Sequence, residues 1–412
     1  MRAPLTAYQR RLIVLLAAAT FFEGFDFFAL AQILPQLRAD LHLDEQQGGM
    51  LVAFANCGAV LSYALVQFAG RVGRRRALTL TILGYTVSSV LSGLAPNVWL
   101  FALAQLCARF FLLGEWAIAM IYAAEEFPAD RRATVMGTIQ AFSSLGAILC
   151  AGLVPLLLRT PLGWRAVFFV GAVPMLLVAV ARRGLRETAR FEALTIARTA
   201  AGGAALPASL TRIWRTPYRG RMLLLAALWL LTYAGTQSAI TFWKEFALAE
   251  RAMSDAQVGT CLTVAAIGSL PLIFSVGKLL DRLGRRLGAL LIFVLGAAGI
   301  ALSYTLHGQW PLTVALIFAL FGVTAVLPVL NSYTTELFPT ELRSDAYVWS
   351  NNLLGRFGYV LSPLLVGMVA QRTSWSLAVA STSGFLLLAI ALLLARFPET
   401  RGRELEETSA LH

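Results

Sequence analysis

Apolar residues run along this chain in long blocks separated by short polar connections. Twelve blocks can be traced, at 12–36, 48–69, 77–95, 98–122, 134–157, 164–182, 222–246, 257–277, 287–306, 311–333, 346–370 and 375–396. A helix rising 1.5 Å per residue needs roughly 20 residues to cross a hydrocarbon core of about 30 Å. The pattern therefore predicts an all-α membrane protein with twelve transmembrane helices. One connection is long, 183–221, and holds the stretches RGLRETARFEALTIARTAAGG and TRIWRTPYRGR. It divides the chain into a six-helix bundle over 1–182 and another over 222–396, joined by a polar linker and followed by a tail at 397–412.

Composition narrows the class. The 412 residues are 58% hydrophobic and 14% charged, against about 45–50% and about 25% in soluble proteins. That excludes a soluble globular enzyme and a disordered chain. The formal net charge of +12 raises the question of a nucleic-acid partner, and the positions of the charges answer it. About 26 basic residues fall on the side that holds both termini, and about six on the other. The positive-inside rule then predicts both termini in the cytoplasm of a bacterial-type inner membrane. The excess charge sets topology in a lipid bilayer, and no nucleic acid is expected. The basic N-terminus leads into the first block without a small-residue cleavage site, so that block is expected to be a span and not a leader.

Other chemistries are thinly represented. Cys57, Cys107, Cys150 and Cys261 each stand alone in apolar sequence, which suits packing better than disulfides or metal. No clustered metal ligands and no nucleophile–base pair suggest an enzyme. No GxxxxGK[ST] motif is present, so neither an ATP cassette nor an ATPase subunit is expected. His42, His307 and His412 lie in connections or the tail, which leaves carboxylates to carry protons. A proton gradient, with no cofactor, is the expected energy source.

The two halves match at a constant offset of 211. Gly73-Arg74-Arg75 aligns with Gly284-Arg285-Arg286, Phe127-Pro128 with Phe338-Pro339, and Trp164 with Trp375. A parallel repeat of six spans predicts two bundles related by an axis along the membrane normal, with a solute site at their interface near the midplane.

These residues carry a family resemblance. GKLLDRLGRR (277–286) resembles the GxxxDRxGRR loop of the major facilitator superfamily, whose fold has this repeat. EEFPADRRA (125–133), ELFPTELRS (336–344) and PETRG (398–402) resemble signatures of its sugar-porter and organic-ion branches. The resemblance spans essentially the whole chain. It implies a gate on the cytoplasmic side, with Asp281, Arg282, Gly284, Arg285, Arg74, Glu115, Glu126, Glu336 and Arg343 as gating candidates. In the first half, VQFAGRVGRRR (66–76) has Gly70 where the motif has Asp, so the second-half Asp281 is expected to carry more of the latch.

Ionisable residues inside spans are the sharpest functional signal, because each costs roughly 2.5–3.5 kcal/mol at a helix centre on insertion scales. Glu23 and Asp26 lie in span 1, Arg109 and Glu115 in span 4, and Arg356 in span 11. By helical rise, Glu23, Arg109 and Arg356 each fall ~15–16 Å into their spans, near one level. Asp26 is one turn from Glu23 and is expected on the same face, since i and i+3 are neighbours. FFEGFDFFALAQILPQL (21–37) resembles span 1 of proton-coupled sugar porters and of aromatic acid/proton symporters. That resemblance implies Asp26 as the proton-carrying carboxylate and Arg109 as its span-4 partner; Glu23, one turn away, is expected to titrate with Asp26 as a coupled pair. RFGYVLSP (356–363) resembles span 11 of organic anion transporters, which implies Arg356 as an anion anchor. Asn352, Gln140, Gln237, Asn331 and Tyr233 are polar or aromatic positions within spans. They fit either a solute cavity or interhelical hydrogen bonding.

The function expected from this set is proton-coupled symport of a small organic anion, aromatic or heteroaromatic and carboxylate-like, by alternating access. A sugar or polyol porter, an exporter of amphipathic compounds and a transporter-like solute sensor are the alternatives.

Overall fold

A span in hydrocarbon must satisfy its backbone polar groups internally, and that is why the apolar blocks fold as helices. The structure is a computed structural model that describes residues 5–127, 129–188, 191–192, 196 and 212–401. Most of the 183–221 connection, Pro128 and the end of the tail lie outside the described residues. No strand occurs among the described residues. Among the described residues, eleven helices have the length and hydropathy to cross a membrane, and the shorter apolar helix Arg165–Ala181 stands where the remaining span is expected.

The chain divides into two compact units, Met1–Leu37 with Phe54–Pro207, and Arg38–Ala53 with Ala208–His412. Among the described residues, the helices of the first are α1 (Ala7–Asp40), α2 (Glu45–Leu61), α3 (Tyr63–Val72), α4 (Arg74–Leu94), α5 (Val98–Glu126), α6 (Ala129–Leu157) and α7 (Arg165–Ala181). The last turn of α1 and the start of α2 belong to the second unit. Its remaining helices are α8 (Arg219–Thr241), α9 (Trp243–Ala249), α10 (Asp255–Leu283), α11 (Arg285–Thr305), α12 (Gln309–Glu336), α13 (Thr340–Tyr347), α14 (Phe357–Arg372) and α15 (Trp375–Arg396). A π-helical stretch, Val348–Gly355, joins α13 to α14.

Most helices outrun the predicted apolar blocks, because the polar loop motifs are themselves helical. The block at 257–277 is the middle of α10, which starts at a Ser254/Gln257 capping box and continues through Leu283. Gly73 and Gly284 end α3 and α10 with φ of 103° and 88°. Side chains other than glycine are strained in that region, so these two glycines set the breaks.

In the first unit, a core of Leu12, Leu16, Tyr122, Ala123 and Ile139 packs α1 against α5 and α6. The backbones of α1 and α6 touch: a Cβ on Gly24 would lie 2.0 Å from the Ser143 carbonyl oxygen, and one on Gly146 only 1.8 Å from that of Phe21. Small residues at crossings replace the hydrophobic effect, which lipid cannot supply, with close contact. In the second unit Gly296 and Gly322 do the same for α11 and α12.

Candidate functional site

The interior of the first unit holds two charged groups. Asp26 on α1, Tyr85 on α4, and Gln105 and Arg109 on α5 line a cavity with Phe27, Ser89 and Phe168. Its free volume is about 20 Å³, enough for a water molecule but not for an organic solute. The Tyr85 hydroxyl donates to Asp26 Oδ2. The Arg109 guanidinium lies 4.3 Å above the Phe27 ring, a cation–π distance. Gly171 on α7 leaves room for the carboxylate, since a Cβ there would stand 2.5 Å from Asp26 Oδ1.

Glu23 belongs to the other group. It is 4% exposed and is not among the residues lining the cavity of Asp26 and Arg109. The charges acting on it are Glu115, Arg182 and Asp26. Three residues along a helix turn by 300°, and the 60° shortfall is enough to give Glu23 and Asp26 different neighbours. Glu115 is fully buried and paired with Arg182, and it also accepts from the Thr81 hydroxyl. Arg182, counted by sequence as a loop cation, is 2% exposed. It follows α7 directly, in the short turn Arg182–Gly184, and its long side chain reaches inward.

In the second unit, Arg356 closes the π-helical stretch. A π turn shifts the helix register and is often found at functional sites; sequence gave no sign of it. The charge of Arg356 is felt by Tyr233 and Tyr347, and its carbonyl accepts from the backbone N–H of Tyr359 at 3.0 Å. The Tyr233 hydroxyl donates to Asn351 Oδ1 at 2.8 Å, and its ring meets those of Tyr359 at 4.5 Å and Trp229 at 5.2 Å. Asn352 and Gln237 are half-buried, whereas Asn331 is exposed. Gln140 lies in the first unit and accepts from the Trp116 indole at 2.9 Å.

The basic loops build two matching clusters. Arg74 binds Glu125 at 2.9 Å and donates to the Ala69 carbonyl. Thr188 donates to Glu125, while Glu187 accepts the backbone N–H groups of Arg74 and Arg75. In the second unit Arg285 binds Glu336 at 3.1 Å and donates to the Leu280 carbonyl. Thr400 donates to Glu336, and Glu399 accepts the N–H groups of Arg285 and Arg286. The carboxylate expected from sequence in the first cluster was Glu126, but the one bound is Glu125; one residue is 100° of helix. Asp281 adds an exposed pair with Arg285 at 3.1 Å. Gly70, its counterpart, faces open space. Arg282 is exposed, and Arg343 donates to the Phe338 carbonyl.

Sequence reasoning missed Glu125, Glu187, Thr188, Glu399, Thr400 and Arg182. Glu-Thr at 187–188 and again at 399–400 was a readable signal, one residue off the repeat. Beyond the second unit's loops, Arg38 pairs with Glu45 at 2.8 Å and Glu245 at 3.0 Å, and Lys244 with Asp255 at 2.7 Å. Sequence had treated both cations only as topology markers.

Known proteins share this sequence pattern and fold. The family model of the Major Facilitator Superfamily matches residues 16–248 and 225–410. The putative niacin/nicotinamide transporter NiaP of Bacillus subtilis is 24% identical over 405 residues, covering 97% of this chain and 98% of its own. The cis,cis-muconate transport protein of Acinetobacter baylyi is 25% identical, covering 91% and 90%. The crystal structure of a D-xylose-proton symporter superposes with a TM-score of 0.75 at 19% identity, covering 96% of this chain and all of that one. The chain belongs to the major facilitator superfamily and is a multi-pass membrane transporter of small organic solutes.

Proposed function

We propose that this superfamily member is a proton-coupled importer of a small organic anion, an aromatic or heteroaromatic carboxylate, working by alternating access at a bacterial inner membrane. The observation that carries the reading is the cavity in which Asp26, Arg109 and Tyr85 meet. A carboxylate and a guanidinium line one cavity there, at a depth where an uncompensated charge costs roughly 2.5–3.5 kcal/mol. Relatives that transport niacin and muconate support the substrate class.

Arg109 in the first unit and Arg356 in the second are the anion anchors of this proposal. With no solute, Arg109 compensates Asp26. An incoming carboxylate competes for that guanidinium, and Asp26 loses its counter-charge. A proton then restores neutrality, with the Tyr85 hydroxyl holding the carboxyl in place. Closing a dry interface over an unpaired charge is expensive, so only the state carrying both proton and anion changes conformation. Coupling arises because the two ligands favour the same state.

The test uses purified protein in liposomes. Asp26→Asn is expected to abolish accumulation driven by a pH gradient while leaving exchange of labelled solute for unlabelled solute. Arg356→Lys is expected to weaken binding of aromatic carboxylates at least tenfold, since the loss of one charge-assisted hydrogen bond is worth about 1.5–3 kcal/mol. Normal accumulation by Asp26→Asn would defeat the coupling scheme. Competition by neutral sugars and not by carboxylates would replace the anion with a sugar.

A further inference from the structure

We propose that Glu23, Glu115 and Arg182 form a second proton site, in which two buried carboxyl groups share one guanidinium and one proton. Glu115 and Arg182 have side chains 0% and 1% exposed and are bound to each other. Thr81 donates to the other oxygen of Glu115. Glu23 feels the charge of both, yet neither of its carboxyl oxygens has a hydrogen-bond partner among the described residues. The Nε and Nη2 donors of Arg182 are likewise buried and unused.

Charge counting sets the protonation state. The groups facing this region are Glu23 and Asp26 from α1, Thr81 and Tyr85 from α4, Arg109 and Glu115 from α5, and Arg182 beyond α7. Three carboxyl groups meet two guanidiniums. Asp26 is matched by Arg109 and Glu115 by Arg182, and Glu23 is the odd acid. A carboxylate sealed from water with no donor is far more costly than a neutral carboxyl. One proton therefore stays with Glu23 while Arg182 holds Glu115. The two unused donors of Arg182 allow the guanidinium to take Glu23 instead, with the proton moving to Glu115.

The site is distinct from the cavity of Asp26, one helical turn away along α1. If Asp26 carries a proton as proposed above, Glu23 is the next acceptor along a path inside the first unit. The site itself does not rest on that reading.

Infrared difference spectroscopy of the purified full chain, in light and heavy water at neutral pH, tests it without any solute. The expected result is a carboxylic-acid C=O band that shifts on deuteration. Glu23→Gln should remove one acid's worth of intensity, and Asp26→Asn should leave that intensity in place. Glu115→Gln should also remove it, because Glu23 then ionises against Arg182. An unchanged band in Glu23→Gln overturns the site. Persistence of the band in Glu115→Gln overturns the sharing of one guanidinium, and with it the proposal. Since no transport is measured, failure of Asp26→Asn to uncouple uptake would leave this result standing.

Discussion

Arg74 binds Glu125 beneath Gly73 in the first unit, and Arg285 binds Glu336 beneath Gly284 in the second. A Glu-Thr pair completes each cluster, with the glutamate taking the first N–H groups of α4 or α11. A carboxylate at a helix N-terminus meets both unpaired donors and the positive end of the helix dipole. Inside the membrane the likeness ends. At the repeat offset of 211, Glu23, Asp26, Arg109 and Glu115 face Ala234, Gln237, Leu320 and Val326 in the alignment, and Arg182 aligns with Leu393. Both units keep the features that end and cap helices, but the charged positions inside the first-unit spans have no charged counterparts at this offset. The second has its own charge, Arg356, aligned with Leu145. Duplication thus preserved what the fold needs in both halves, while charge was distributed unequally between them.

That asymmetry is easiest to break at Asp26 and its counterpart. Asp26→Asn should lower gradient-driven accumulation by more than tenfold, whereas Gln237→Leu should leave the ratio of proton to solute flux unchanged; flux ratios in liposomes decide it. Gly171→Ala, which brings a Cβ within 2.5 Å of Asp26 Oδ1, should weaken coupling while the protein still folds.

A smaller contrast concerns packing. Gly24 and Gly235 are repeat partners, but a Cβ on Gly24 meets a backbone oxygen at 2.0 Å and one on Gly235 meets the Leu386 side chain at 2.8 Å. Overpacking costs about 1–3 kcal/mol when neighbours cannot give. Gly24→Ala should therefore lower the thermal midpoint in detergent more than Gly235→Ala does. Equal losses would mean that α1 and α6 separate easily.

The caps should give the smallest effect. Burial pushes the Glu399 carboxyl up, but backbone N–H groups of Arg286, Arg285, Arg401 and Thr400 outweigh it and hold the group below the usual carboxylate range. A depressed value contributes stability that is present above the unfolded pKa, about 4.3. That contribution is lost as pH falls through the lower, folded value. Glu399→Gln should cost about 1 kcal/mol at neutral pH and show less loss of stability on acidification than the parent. A wild-type pH profile in the variant would remove Glu399 from that role.

The span pattern, the repeat and the family could all be read from the chain alone. Hydrocarbon imposes long apolar helices whatever their neighbours are, and Gly73 and Gly284 mark helix breaks that the local backbone requires. The sequence also located Glu23, Asp26, Arg109, Glu115 and Arg356, because charge in an apolar block is conspicuous. It could not assign their partners. That Glu125 and not Glu126 binds Arg74, and that Arg182 is the partner of Glu115, depends on helix rotation and on contacts between helices far apart in the chain. Spacing along one helix fixes a residue's depth and approximate face, while the choice of partner depends on which neighbouring helix packs there, and only the tertiary structure settles that.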